Sequence, residues 1–169
     1  MSVYSIDKLM SEARNLAASY RKMMGKPLPG ISGEIAEHDA ARLLNLELCN
    51  PKPGGYDAIG RGKREGKHIQ IKGRAIFDEK KGGQRIGQIK VEQKWDSIVL
   101  VLMDDDFETF EIYEAQRNDI IFTLNEDEGS SRKRRGAMSV ARFKKISRLV
   151  WIRGEGEVED DEVWSNQAD

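Results

Sequence analysis

The sequence of 169 residues predicts an α/β domain, with a central β-sheet flanked by helices and one extra helix at the N-terminus, and three observations carry that expectation. Residues 5–24 contain no Gly or Pro and space apolar side chains by three and four, as an amphipathic helix does. Residues 68–72, His-Ile-Gln-Ile-Lys, alternate polar and apolar side chains with the period of two that marks a strand with one buried face. Residues 97–103, Ser-Ile-Val-Leu-Val-Leu-Met, are the unbroken apolar run of a central strand covered on both sides.

Taken in order, the first helix carries Ile6, Leu9, Met10, Ala13, Leu16, Ala17, Tyr20 and Met24 as its apolar stripe and stops at Gly25, before a Lys-Pro-Leu-Pro-Gly linker. Ser32 is the expected N-cap of a second helix that reaches about Asn45 and buries Ile35, Ala36, Ala40, Leu43 and Leu44. The breakers Asn50-Pro-Lys-Pro-Gly-Gly separate it from a short strand, Tyr56-Asp-Ala-Ile-Gly. A turn over residues 62–66 makes that strand the hairpin partner of 68–72. Residues 77–84 are polar and glycine-rich and read as a surface loop, and residues 86–94 fit either a short helix or a strand. After the apolar run, Asp104-Asp-Asp is expected to be a solvated turn, 109–113 a strand, 115–124 a helix, 129–136 a basic loop, 140–146 a helix begun by Ser139, and 149–152 a last strand. Trp95, Trp151 and Phe110 are assigned to the core, and Cys49 to a structural role.

Composition narrows the classes. No apolar run approaches the roughly 20 residues of a membrane span, the N-terminus lacks a signal-peptide layout, and one cysteine forms no internal disulfide, so a cytoplasmic protein with no membrane partner is expected. One Cys and two His make a zinc site improbable. The net charge of −1 hides an asymmetry. Seven of the 29 acids lie in residues 155–169, which hold no Lys or Arg and by composition form a disordered tail in which Trp164 suggests a docking contact. Residues 1–154, read as one domain, therefore hold 28 basic and 22 acidic residues, a net +6 with basic clusters at 80–81, 132–135 and 144–145 that suit nucleic-acid phosphates.

The chemistry-bearing pattern lies on the predicted hairpin. Gln70 and Lys72 project from one face of their strand, and Asp57 sits on the neighbouring strand. A carboxylate, an amide oxygen and the Ile71 carbonyl suit Mg²⁺ or Mn²⁺ beside a phosphate, and Lys72 can orient an attacking water or offset developing charge. His68 faces the same side and is a candidate phosphate contact, as are Arg74 and Lys90; Glu37 is either a second helix acid or part of a helix ion pair, and the ion pair is the preferred reading.

These residues resemble the PD-(D/E)xK nuclease superfamily, to which restriction endonucleases and junction resolvases belong. Ser32-Gly-Glu-Ile-Ala-Glu matches its acidic helix, Gly55-Tyr-Asp-Ala-Ile its first motif strand and Ile69-Gln-Ile-Lys-Gly-Arg its second, over about residues 31–115. The resemblance implies a restriction-endonuclease-like mixed sheet, with a helix and then a further strand after the second motif strand. It implies Asp57 as central metal ligand, Gln70 as second ligand in the acidic position, the Ile71 backbone carbonyl as a third, Lys72 as catalytic lysine, and Glu34 as the helix acid acting through water or a second ion. Gln70 contributes no negative charge, so weaker metal affinity is expected, and Gly55-Tyr56 replaces the motif proline.

The implied activity is Mg²⁺- or Mn²⁺-dependent endonucleolytic hydrolysis of DNA. RNA stays open, because no basic or aromatic motif separates the two. Cutting two strands implies two copies, and helix 5–24 offers a surface for a homodimer. The rival readings are a non-catalytic nucleic-acid-binding module with a retired metal site, and an accessory interaction protein that uses the acidic tail.

Overall fold

The computed structural model describes residues 3–77, 84–126 and 137–159. Helices α1 (Val3–Met24) and α2 (Ile31–Leu44) come first, followed by strands β1 (Leu46–Leu48) and β2 (Ala58–Gly60), a single 3-10 turn at Gly62–Arg64, and β3 (His68–Ala75). Then come β4 (Arg85–Gln88), β5 (Ser97–Met103), β6 (Thr109–Gln116), α3 (Arg117–Glu126), β7 (Ala137–Ser139), α4 (Val140–Ile146), β8 (Arg148–Ile152) and β9 (Gly156–Glu157).

Seven strands form one mixed sheet in the order β1-β2-β3-β5-β6-β8-β9, and β4 pairs with β7 in a separate ribbon. The β3–β5 pair is parallel and every other neighbouring pair is antiparallel. The expected α/β class with a mixed, helix-flanked sheet is therefore observed. The helix that the resemblance puts between β3 and β5 is absent among the described residues of that connection, where β4 and a turn stand instead.

All seven residues of β5 are buried, as a strand between two covered faces requires. Ile69, Ile71, Val99, Val101, Met103, Ile112 and Val150 join α1 and α2 in one core. Ile98, Leu100 and Leu102 join Trp95, Ile86, Ile120, Met138 and Phe143 in a second core on the opposite face. The alternation along β3 sends Gln70, Lys72 and Arg74 towards this second face, since they lie beside Ile98, Leu100 and Leu102 in register.

Helix α2 lies unusually close to β3. A Cβ on Gly73 would stand 2.4 Å from the Ala36 Cβ and 3.0 Å from the Ser32 carbonyl oxygen, so only glycine fits beneath the helix. On the other side of α2, buried Arg14 of α1 donates to both oxygens of buried Asp39, at 2.9 Å for the Nη1–Oδ2 bond, and to the Phe107 carbonyl at 2.7 Å. Thr109 Oγ1 completes the set by donating to Asp39 Oδ2 at 2.6 Å. This network ties α1, α2 and the β5–β6 turn together, with each buried charge paired and hydrogen-bonded.

Several expectations change. The apolar stripe predicted for α1 is only partly its packing face: Ala17 is buried and Met10, Ala13 and Tyr20 are half-buried, but Ile6, Leu9, Leu16 and Met24 are exposed, and Arg14 and Ala18, outside the stripe, are buried. The ion pair to Asp39 sets the helix's rotation, a choice that apolar spacing does not encode. Ser32 is not the N-cap of α2. The helix starts at Ile31 from Gly30, whose φ of +84° suits glycine, and Ser32 falls in the first turn. Helix α3 begins at Arg117 rather than 115 because β6 runs on to Gln116. The ambiguous stretch 86–94 contains β4, and the tail assigned from residue 155 first forms β9, with Val158 N–H donating to the Val150 carbonyl at 2.8 Å. Loops 77–84 and 129–136 fall largely or wholly outside the described residues, as does Trp164.

Other expectations hold. Ser139 caps α4 by accepting from the Arg142 N–H at 3.1 Å, and Trp95 is buried. The Asp104 side chain closes the 104–108 turn by accepting from the N–H groups of Asp106 and Glu108 at 2.9 and 3.1 Å. Burial pushes the Asp104 carboxyl up, but hydrogen bonds from Arg153 and these two N–H groups outweigh it and hold the carboxyl below its ordinary value.

A Gly73→Ala substitution is expected to destabilise the protein by about 1–3 kcal/mol in urea unfolding, through overpacking. In a double-mutant cycle, Ala36→Gly should return part of that loss, giving a favourable coupling between the two sites that distant positions would not show.

Candidate active site

The β2–β3 ladder opens at its start, and side chains take over from the backbone there. Asp57, the last residue before β2, still donates its N–H to the Ile69 carbonyl at 2.9 Å. Its carboxylate then takes the next ladder position, with Oδ2 accepting from the Ile71 N–H at 2.7 Å. On β3, the Gln70 side-chain amide reaches back in the same way, donating through Nε2 to the Gly55 carbonyl at 3.1 Å. Two side chains thus replace backbone pairing while the Gly55-Tyr56 segment turns away.

That geometry leaves one group over. Gln70 Oε1 is buried and has no hydrogen-bond partner among the described residues. Exchanging the amide's ends would set two oxygens against each other at Gly55, so the orphan is an acceptor. A buried acceptor without a donor is costly, and a cation, a water or another donor would satisfy it.

Asp57 meets a second charged group through its other oxygen. Lys52 Nζ lies 3.5 Å from Asp57 Oδ1 and donates a hydrogen bond to Glu37 Oε1. Glu37 on α2 and Asp57 beside β2 therefore converge on a single ammonium. Burial pushes the Glu37 carboxyl above its ordinary value; Lys52 opposes this, and the charges of Asp57 and Glu34 add to it. The hydrogen bond to Glu37 raises Lys52 in turn and holds it charged. This arrangement has an excess of oxygen charge around one cation.

Lys72 lies on the second face, beneath β4, where Nζ donates to the Gln88 carbonyl at 3.2 Å. Burial pulls its ammonium below the ordinary lysine value, Arg74 adds to the fall, and Asp57 resists it. Gly87 in β4 makes the close cover possible, since a Cβ there would lie 3.1 Å from an Arg74 nitrogen and 3.9 Å from Lys72 Nζ.

The predicted residues are thus partly assembled. Asp57, Gln70 and Ile71 meet at the strand opening, and Lys72 is near enough to feel the Asp57 charge. Glu34 is exposed, one turn before Glu37, and contributes through its field. Glu37 is in an ion pair, but its partner is Lys52 from the proline-rich connection, not a residue of its own helix. His68 stacks on Tyr56 with ring centroids 4.2 Å apart. Arg74 spends its donors on the carbonyls of Arg85 at 2.6 Å and Gly73 at 2.5 Å, while Lys90 is exposed. Sequence reasoning missed Lys52 altogether. The only signal for it was a lysine between two prolines, which by itself points to a turn.

The oxygens of Glu37, Asp57 and Gln70 are hard donors of the kind Mg²⁺ and Mn²⁺ take, and the unpartnered Gln70 Oε1 fits a cation better than it fits an empty site. Among the described residues no cluster of three His, Cys, Asp or Glu side chains could hold a metal by itself, so an amide or backbone oxygen would have to contribute. No described helix is long and apolar enough to cross a membrane.

No protein-family model matches the chain, and no curated protein matches it significantly. The functional reading therefore stands on the residues and their geometry.

Replacing Lys52 with Met removes the cation between Glu37 and Asp57. Glu37 already has a raised folded-state pKa, so its contribution favours the folded state below its unfolded value of 4.5 and is lost as pH rises through the folded value. The variant should enlarge that effect. Its unfolding free energy from urea titration is expected to trail wild type by about 0.5–1 kcal/mol near pH 7, a figure already reduced for the solvent screening of a half-exposed lysine, and the gap should close towards pH 4.5.

Proposed function

We propose that this chain is a divalent-metal-dependent phosphodiesterase of the PD-(D/E)xK type, cutting DNA endonucleolytically. The observation that carries the reading is the convergence of Glu37 and Asp57 on one ammonium, together with the buried Gln70 Oε1, which has no partner among the described residues, and the depressed Lys72 on the same strand. Perturbed titratable groups gathered around an unsatisfied polar atom are typical of catalytic sites. The net +6 of residues 1–154 supports a polyanionic substrate.

Asp57, Gln70 Oε1 and the Ile71 carbonyl would hold Mg²⁺ or Mn²⁺, with Glu37 as the helix acid in place of Glu34. The ion would supply Lewis-acid polarisation of the phosphoryl oxygen and charge neutralisation. The chain's own residues do the rest. The Ile71 N–H fixes the Asp57 carboxylate, so its orientation is set before any ligand arrives. The Gly55 carbonyl fixes the Gln70 amide and turns its oxygen inward. Lys72, drawn towards neutrality by burial, can give up and take back a proton at Nζ at moderate cost, and when charged it lies where it can offset phosphoryl charge.

A second reading has its own support. Asp57, Gln70 and Lys72 each hold a backbone group at 2.7–3.2 Å, which is what a retired site kept for architecture would also do. In that case the domain binds nucleic acid without cutting it.

Supercoiled plasmid separates the two. Wild type is expected to nick it only with Mg²⁺ or Mn²⁺, and Asp57→Asn, which keeps an acceptor for the Ile71 N–H, should reduce the rate by about 100-fold or more, as should Lys72→Met. Metal-independent nicking, or equal rates in all three proteins, would refute the enzyme. Plasmid binding without nicking would favour the second reading.

A further inference from the structure

We infer that Lys63 and Arg64, in the 3-10 turn between β2 and β3, form a binding site for a phosphate-type oxyanion, which Glu157 of β9 occupies in this structure with the chain's own carboxylate. The turn folds back on Gly60, where a Cβ would stand 2.1 Å from the Arg64 carbonyl oxygen and 2.7 Å from the Arg64 Cβ. Arg64 is thereby sent inwards, and its side chain is only 4% exposed. Its partner Glu114 stands beside Val99 in register, on the face of the first core and so on the side of the sheet opposite Lys72.

The guanidinium is held but not satisfied. Nε donates to Glu114 Oε1 at 3.0 Å, and Ser97 Oγ fixes that carboxylate by donating to Oε2 at 2.8 Å. Both terminal nitrogens are buried and have no hydrogen-bond partner among the described residues. Buried charged donors left unpaired are costly, so relief of that cost drives the binding of an acceptor that reaches them. Nη1 and Nη2 form a fork that takes two oxygens of one anion, and the Nε bond to Glu114 sets the fork's direction before any ligand arrives.

Glu157 stands at this fork without filling it. Its Oε1 is 3.8 Å from Arg64 Nη1, too long for a hydrogen bond, while its Oε2 is 3.3 Å from Lys63 Nζ. One carboxylate is thus stretched between two cations. Its two oxygens lie in one plane, whereas a tetrahedral oxyanion presents three or more in space and can reach the fork and the ammonium together. Withdrawal of Glu157 would leave Lys63 and Arg64 against Glu114 alone, two cations against one carboxylate, an excess that an entering anion neutralises. The strand that carries Glu157 is two residues long and lies at the edge of the sheet, the kind of element that opens at low cost. Lifting β9 would open the fork on the side where Glu157 now stands.

Inorganic phosphate titrated into the full chain, with chloride balancing the ionic strength and no divalent metal present, tests this through proton–nitrogen spectra of residues 60–68 and of the Arg64 Nε–H. Glu157→Gln keeps the side chain's shape and removes its charge. It is expected to bind phosphate at least about tenfold more tightly than wild type, with saturable shifts centred on this turn. Adding Lys63→Met, which alters a half-exposed side chain and leaves buried Arg64 in place, should weaken that binding about tenfold. No saturable shift in Glu157→Gln up to about 50 mM phosphate overturns the proposal. So does equal affinity in wild type and Glu157→Gln, or an affinity indifferent to Lys63→Met. A second arm reads the source of the phosphate. A short single-stranded oligonucleotide that displaces inorganic phosphate from the turn identifies a nucleic-acid backbone, and one that leaves it bound identifies free phosphate. Neither arm depends on whether the protein cuts DNA.

Discussion

The close approach of α2 to β3 at Gly73 is the constraint from which the site follows. With Ala36 seated on a residue that has no side chain, the helix lies low enough for the next residue, Glu37, to reach the Lys52 ammonium that Asp57 also contacts. A larger residue at 73 would lift the helix and separate the two acids. The opposite side of α2 is held as firmly, since Asp39 takes Arg14 from α1 and Thr109 from β6. The site acid is thus placed by a helix clamped on both sides, the kind of rigid support that a positioned functional group needs.

The second constraint is electrostatic. Glu37 and Asp57 stand on one side of the opened ladder with a single lysine between them, and half-buried Lys72 lies on the other side with no carboxylate partner among the described residues. Glutamine at 70 brings no charge of its own, so the two carboxylates share Lys52 alone and keep one negative charge in excess. A divalent ion entering this site would have to displace that ammonium or share the carboxylates with it. The affinity of such a site would be set by a competition internal to the chain, besides being lowered by the absence of an acid at 70.

What the sequence made legible follows from period and punctuation. The alternation through Gln70 and Lys72, the unbroken run of β5, and the Ser139 cap are local signals, and each has its counterpart in the structure. The misses are of another kind. The rotation of α1 depends on a salt bridge between residues 25 positions apart, and half of the apolar stripe that suggested its packing face is left exposed. Strand β1 is three residues long and carries no periodicity to read. Lys52 acquires its place only when the chain between α2 and β2 brings it against Glu37, and the orphaned Gln70 oxygen exists only because Asp57 opens the ladder. Local pattern located the strands that bear the site, and tertiary contact selected which acid and which lysine share it.

A cation site built from the oxygens of Asp57, Gln70 and Glu37 is the central element of the proposed function. Mn²⁺ binding followed by electron paramagnetic resonance tests this without reference to any substrate, with wild type compared with Asp57→Asn and Gln70→Glu. One bound ion, weakened about tenfold or more by the asparagine and tightened about tenfold by the glutamate, is the predicted result, because ligand charge count governs such affinities. Failure of wild type to bind Mn²⁺ at millimolar concentration, or affinities that ignore both substitutions, would contradict it.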